Sequence, residues 1–194
     1  MNELAMPGNS ALLSALAHRL GPIDLTVLRV TFALFDPRAF AAQAVVCALW
    51  RDRQRRSQRR PDRYGTMGTE LILSGLCFVA TVGAVGVTKL VVSAPRPALL
   101  LADISPRLPA GDPYAFPSGH AAMAAAIVFL LWARARVLGR TLLLLILGWV
   151  MAARCIAGLH FPLDVVAGAA IAFVCCAGVR WQAERRLSAG KPQA

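Results

Sequence analysis

Acidic residues are scarce: ten Asp and Glu stand against 21 Lys and Arg in 194 residues, and charges of both signs make up only 16% of the chain. With 57% hydrophobic residues and a mean hydropathy of +0.58, this composition excludes an ordinary soluble protein and points to a membrane chain. Cysteine is thinly used. Cys47, Cys77, Cys155, Cys175 and Cys176 fall in apolar stretches without a CxxC pair, so buried thiols are expected rather than a zinc site or a disulfide framework. Aromatics are few, at 7%, and no series of them interleaves the basic runs. The net charge of +11 therefore does not describe a base-stacking surface for nucleic acid. Repeats and low-complexity segments are absent. The first residues, with Glu3 and no basic residue before His18 and Arg19, lack the charged region of a signal peptide, so membrane insertion is expected to use the spans themselves.

What the chain does have is apolar runs separated by basic ones. Arg51, Arg53, Arg55, Arg56, Arg59, Arg60 and Arg63 form one basic run, Arg134, Arg136 and Arg140 a second, and Arg180, Arg185, Arg186 and Lys191 a third. Such runs in short connections mark the cytoplasmic side and read as solvated loops facing anionic headgroups. The clearest span is Leu71 to Thr88, 18 uncharged residues between Glu70 and Lys89. At ~1.5 Å per residue it nearly crosses a hydrocarbon core of about 30 Å. Ala121 to Ala133, Thr141 to Ala153 and Val165 to Val179 reach spanning length only when His120, Arg154 and Asp164 are included. Ionisable groups at that depth are costly and face a polar site inside the protein.

The expected fold is all-α, a polytopic transmembrane helical bundle. With the basic runs inside, the Pro-rich loop Ala94 to Pro117 and the connection Leu159 to Phe161 lie outside, and the unusual polar residues gather there. Ser10 to Phe35 reads as an interfacial helix and Leu34 to Trp50 as a short first span. That makes five spans plus an N-terminal interfacial helix, or six spans if the N-terminal segment also crosses. One domain is expected over 1–194, with 1–35 as the interfacial segment and 66–180 as the catalytic helical core.

Three clusters carry the chemistry. In Lys89-Leu-Val-Val-Ser-Ala-Pro-Arg96-Pro97, prolines on both sides restrict the backbone around Arg96; a Lys or Arg near a helix end otherwise snorkels to the headgroups. In Pro117-Ser118-Gly119-His120, Ser118 is a natural N-cap, and the first amides of the helix attract anions. Gly119 allows close approach of a phosphate, and His120 stands ready as a proton donor. In the third, Gly158 ends one helix and Pro162 opens the next. His160 sits in the tight connection, Asp164 lies four residues on to accept its ring N–H, and Arg154 supplies a planar cation. Each cluster has a bland reading alone. Together they place two histidines, a carboxylate and three cations on one side of a bundle, as a phosphate site requires. Charges lining a transport path would be spread through the membrane depth instead.

These residues resemble the three signature motifs of the type 2 phosphatidic acid phosphatase (PAP2) superfamily, which includes the vanadium haloperoxidases. Lys89, Arg96 and Pro97 match the first motif, Pro117, Ser118, Gly119 and His120 the second, and Arg154, His160 and Asp164 the third, where Ala153 replaces the usual Ser. The resemblance covers Leu71 to Val179. It implies a membrane phosphatase in which His160 is the nucleophile, forming a phosphohistidine, Asp164 orients it, and His120 protonates the leaving oxygen. Lys89, Arg96, Ser118, Gly119 and Arg154 would hold the phosphate, with no metal and no cofactor. The implied partners are a lipid phosphate and the bilayer, not nucleic acid. A bacterial-type inner membrane, with the site facing the periplasm or exterior, is expected. Undecaprenyl diphosphate or phosphatidylglycerol phosphate is favoured as substrate, with phosphatidic acid and lipid A phosphates behind. A lipid phosphotransferase and an inactive anionic-lipid-binding protein are the alternatives, and a soluble-type haloperoxidase fits the composition poorly.

Overall fold

The computed structural model describes residues 7–19, 23–58 and 66–189. Arg59, Arg60, Arg63 and Lys191 of the basic runs lie outside these residues. The described residues form eight α-helices and no strand beyond one isolated antiparallel bridge between Pro95 and Tyr114. The helices are α1 (Pro7–Arg19), α2 (Leu25–Leu34), α3 (Phe40–Gln58), α4 (Met67–Val92), α5 (Pro97–Leu100), α6 (Gly119–Trp132), α7 (Val137–Ile156) and α8 (Pro162–Ala189).

Four segments are long and apolar enough to cross a membrane: Leu25–Gln54, Met67–Val92, Val137–Ile156 and Pro162–Arg186. The shorter apolar helix α6 packs among them. The first segment begins at Leu25, not at Leu34, because both acidic residues that seemed to interrupt it serve as caps. Asp24 accepts the Thr26 amide at 2.5 Å and starts α2; Asp36 accepts the Arg38 amide at 2.7 Å and starts a 3-10 turn, Pro37–Ala39, that leads into α3. Gln43 closes this joint by donating to the carbonyls of Leu34 and Asp36, at 2.9 and 3.2 Å. The expected interfacial helix up to Phe35 is thus two elements. Of these two elements α2 joins the first spanning segment, and α1, with 13 residues too short to cross, stands outside it. Its Leu13 is buried with Ile104, Ala121, Cys155, Phe161 and Val165, against the end of the bundle where α7 meets α8.

The core runs along α6. Ala121, Ala122, Ala124, Ala125 and Ala126 are all buried, and these small side chains let α4, α7 and α8 come close around it. The outside is the reverse of a soluble protein: Leu90, Val91, Val137 and Val174 are all more than 70% exposed, a belt that suits hydrocarbon. Cys47, Cys77, Cys155 and Cys176 are buried free thiols and Cys175 is partly so.

At the end of the bundle away from α1, Arg51 departs from the expected solvated loop. It lies within α3, 1% exposed, and its Nε meets Glu70 Oε2 at 2.6 Å. Its Nη1 also donates to the Leu130 carbonyl at the end of α6. Arg134 completes the group, with Nη2 3.0 Å from Glu70 Oε1. One carboxylate thus joins α3, α4 and the α6–α7 turn. Its charge faces both arginines, and for the buried Arg51 that pairing offsets the cost of desolvation. Glu70→Gln is expected to destabilise the fold by about 3 kcal/mol, read as a lowered midpoint of denaturant unfolding in mixed micelles; an unchanged midpoint would remove this role.

Candidate active site

The site forms where three loops meet at the other end of α6. The connection between α7 and α8 is shaped by its sequence. Gly158 adopts φ +67, and a Cβ there would lie 3.1 Å from both Ile104 Cγ2 and the Ser105 carbonyl. Its amide donates to the Cys155 carbonyl at 2.8 Å and the Leu159 amide to the Arg154 carbonyl at 3.2 Å, a Schellman stop for α7. Pro162 then opens α8, and Asp164 Oδ2 accepts the Phe161 amide at 2.7 Å. His160 is left in the bend between these two terminators, 1% exposed.

The ring of His160 is held differently from the sequence expectation. Nδ1 lies 2.7 Å from the Ala115 carbonyl and 3.6 Å from Asp164 Oδ2. A carbonyl can only accept, so Nδ1 carries the proton and donates it to Ala115. Asp164 Oδ2 accepts the turn amide and stands beside the ring at a longer distance than Ala115, while its Oδ1 has no partner among the described residues. The tautomer is nevertheless the one needed: Nε2 keeps its lone pair, which faces Arg154 Nη2 at 3.1 Å. Burial first, then the positive charges of Arg154, Arg96 and Lys89, hold His160 well below the ordinary imidazole range. Both causes favour the neutral ring.

The three expected cations converge here. Lys89, in the last turn of α4, donates to Asp112 Oδ1 at 3.0 Å and to the Tyr114 carbonyl at 2.7 Å. Arg96 donates to the Leu159 carbonyl at 2.8 Å, so it braces the His160 bend, and to Asp112 at both the carbonyl, 2.9 Å, and Oδ1, 3.2 Å. Arg154 is buried at 5% exposure, and its Nε has no partner among the described residues. Its guanidinium stacks 4.2 Å over the Phe32 ring, whose centroid is 5.4 Å from that of His120. This stack links the two histidines across the site.

Asp112 and Phe32 were not singled out from the sequence. Asp112 lies in a Pro- and Gly-containing loop with no motif of its own, and Phe32 lies in α2, outside the matched region; neither had a local signal to find. Burial acts to raise the Asp112 pKa, but the Lys89 hydrogen bond and the charges of Lys89 and Arg96 outweigh it and hold it below its usual value of 3.8. A depressed folded pKa means that the bridge is present above 3.8 and is lost only as pH falls further through the folded value.

Ser118, Gly119 and His120 open α6 as expected, but their roles divide. Ser118 occupies the N-cap position without a capping bond, and its buried hydroxyl has no partner among the described residues. Its backbone is already fixed: the amide donates to the Asp164 carbonyl at 2.9 Å, and its own carbonyl would lie 2.3 Å from a Cβ on Gly168 of α8. Gly119 is small because Pro37 is near, at 2.9 Å from the position of a Cβ. A cavity of about 490 Å³ is lined by Lys89, Arg96, Gly119, His120, Arg154 and His160, whereas Ser118 and Asp164 stand behind its wall. Phe32, Val82, Val85, Gly86 and Met123 give the same cavity an apolar side.

The class so defined is a helical multi-pass membrane protein with a cationic, two-histidine cavity at one end of its bundle. The family model of the PAP2 superfamily matches residues 70–188, and the chain belongs to that superfamily. It is 40% identical over 76 residues to phosphatidylglycerophosphatase B of Escherichia coli (strain K12) and to the protein of the same name from Shigella flexneri. Those matches span 37% of this chain and 30% of each relative. Among solved structures it resembles Aquifex aeolicus LpxE, with a TM-score of 0.71 and 22% identity, covering 92% of this chain and 98% of that one. A transmembrane PAP2 type phosphatidylglycerolphosphate phosphatase from Bacillus subtilis aligns with a TM-score of 0.67 and 19% identity over 95% of this chain and 88% of that one. These likenesses support the fold.

Asp112→Ala removes the carboxylate shared by Lys89 and Arg96 and leaves two cations to repel each other. For the phosphatase activity proposed below, kcat/KM in micelles is expected to fall about tenfold; an unchanged value would show that the loop carboxylate anchors nothing of use.

Proposed function

We propose that this protein is an integral membrane phosphatase that hydrolyses a lipid phosphate or diphosphate through a phosphohistidine. The carrying observation is the placement of the His160 ring: Nδ1 tied to the Ala115 carbonyl and Nε2 turned to Arg154 at the cavity. Nε2 attacks phosphorus while the bond from phosphorus to the leaving oxygen breaks, and that oxygen takes a proton from His120 in its imidazolium form, which the negative charge of the bound phosphate favours. In the second step His120 takes a proton from water as its oxygen attacks the phosphohistidine, which returns phosphate and neutral His160. Arg154, with an unpartnered Nε, and the remaining donors of Lys89 and Arg96 hold the phosphate oxygens as charge shifts. Ser118 and Asp164 act from behind the wall, by fixing the start of α6 and the His160 bend. The single-domain reading places α1 in the headgroup layer over the outer end of the bundle.

The apolar side of the cavity supports a lipid, since the first carbons of its chain can lie against Phe32, Val82 and Val85. Undecaprenyl diphosphate and phosphatidylglycerol phosphate remain the favoured substrates. The basic residues at the far end, Arg53, Arg136 and Arg140 among them, support a cytoplasmic location for that end and an exterior face for the site. Transfer of the phosphoryl group to a second lipid would use the same intermediate, and assay with and without acceptor lipid separates the two.

Purified protein incubated with radiolabelled prenyl diphosphate and quenched in alkali is expected to carry an acid-labile label. His160→Ala should lose both the label and turnover, by about a thousandfold or more. His120→Ala should also release no phosphate at a useful rate. Full turnover in His160→Ala would remove the proposed nucleophile.

A further inference from the structure

Arg38 is a cation on the cavity wall that the motif residues leave without a task. It lies in the 3-10 turn between α2 and α3, whose backbone is held by the Asp36 cap and by Gln43. Its Nη2 rests 3.3 Å from where a Cβ on Gly111 would stand, so the guanidinium lies along the loop one residue from Asp112. Both Asp36 and Arg38 line the cavity. Asp36 Oδ1 accepts the Arg38 amide, but the Arg38 side chain has no hydrogen bond or ion pair among the described residues.

The other cations are spoken for in a different way. Asp112 Oδ1 is shared by Lys89 Nζ and Arg96 Nη2, and Arg154 faces His160. Lys89, Arg96 and Arg154 outnumber the carboxylates of Asp112 and Asp164 at this deep end, an excess of positive charge suited to one phosphate. An exposed guanidinium beside the Gly111 loop, with free donors on a backbone held by the Asp36 cap, is suited to a second phosphate joined to the first by one oxygen.

We propose that Arg38 recognises the lipid-attached phosphate of a diphosphate substrate whose terminal phosphate occupies the His160 end. This rests on the phosphatase reading above. During attack by His160 Nε2, the bond from the terminal phosphorus to the bridging oxygen breaks, and its electron pair stays on that oxygen. The leaving group is a lipid monophosphate, and Arg38 offsets the charge it gains while His120 supplies the proton. A lipid monophosphate bound with its phosphate at the deep end places no phosphate beside Arg38. Arg38 is in this way a specificity-determining residue, and the cavity prefers a diphosphate to a monophosphate of the same chain.

The test uses the full chain in detergent micelles with a prenyl diphosphate and the matching prenyl monophosphate. Arg38→Gln is expected to lower the ratio of kcat/KM for diphosphate over monophosphate about tenfold, mainly through KM for the diphosphate. Arg38→Lys should recover part of the ratio by restoring the charge without the planar fork. A ratio in Arg38→Gln within twofold of the original chain, with both substrates still turned over, would overturn the role of Arg38 and leave the phosphatase reading intact. If the unaltered chain hydrolyses neither prenyl lipid, this proposal is overturned, and phosphate release from phosphatidylglycerol phosphate in the same micelles decides the phosphatase reading separately.

Discussion

The hydrogen bond from His160 Nδ1 to the Ala115 carbonyl joins the α7–α8 bend to the loop that leads into α6, and the rest of the site is arranged around it. It sets the tautomer of a ring with almost no access to water, and it can do so only if both backbones are held. On one side the Schellman stop at Gly158 and the Asp164 contact to Phe161 fix the bend. On the other, the Ala115 amide donates to the Ala94 carbonyl at 2.9 Å, next to the Pro95–Tyr114 bridge, so the loop is tied back to the end of α4. Arg96, which donates to the Leu159 carbonyl and to Asp112, joins the two sides.

The same bundle carries two charged groups at opposite ends, and they solve one problem in different ways. Buried charge in a low-dielectric interior is costly unless it is paired. The Arg51–Glu70–Arg134 group is paired internally and serves structure. At the other end the cations outnumber their carboxylate, leaving Arg154 with a free donor and the cavity with an excess of positive charge. That imbalance is tolerable where the partner arrives with the substrate, and it is the electrostatic reason to assign the two ends different tasks.

Much of this was legible in the sequence. Apolar runs that reach spanning length only by including His120, Arg154 and Asp164 pointed to a polar site at one end of the helices, and those residues do lie together there. The Gly158 stop and the Pro162 start were readable because glycine and proline act locally, through φ and a missing amide. The partner of the His160 ring was not, because the Ala115 carbonyl that lies closer than Asp164 comes from 45 residues away in the chain. Arg51 shows the same limit: one residue of a basic run leaves its neighbours to meet Glu70, and nothing in the run itself marks which.

The sequence alone determined the class, an all-helical membrane chain, and most of the ionisable groups that gather at one end of it, because hydropathy, helix terminators and motif spacing are properties of short stretches. Only the tertiary structure decided which atom faces which. It assigned the His160 proton to Ala115, brought Asp112 between Lys89 and Arg96, and carried Phe32 and Arg38 from the first spanning segment to the cavity wall. Those contacts join residues far apart in the chain, and they depend on how closely the helices pack around α6, where the alanines and Gly168 set the approach.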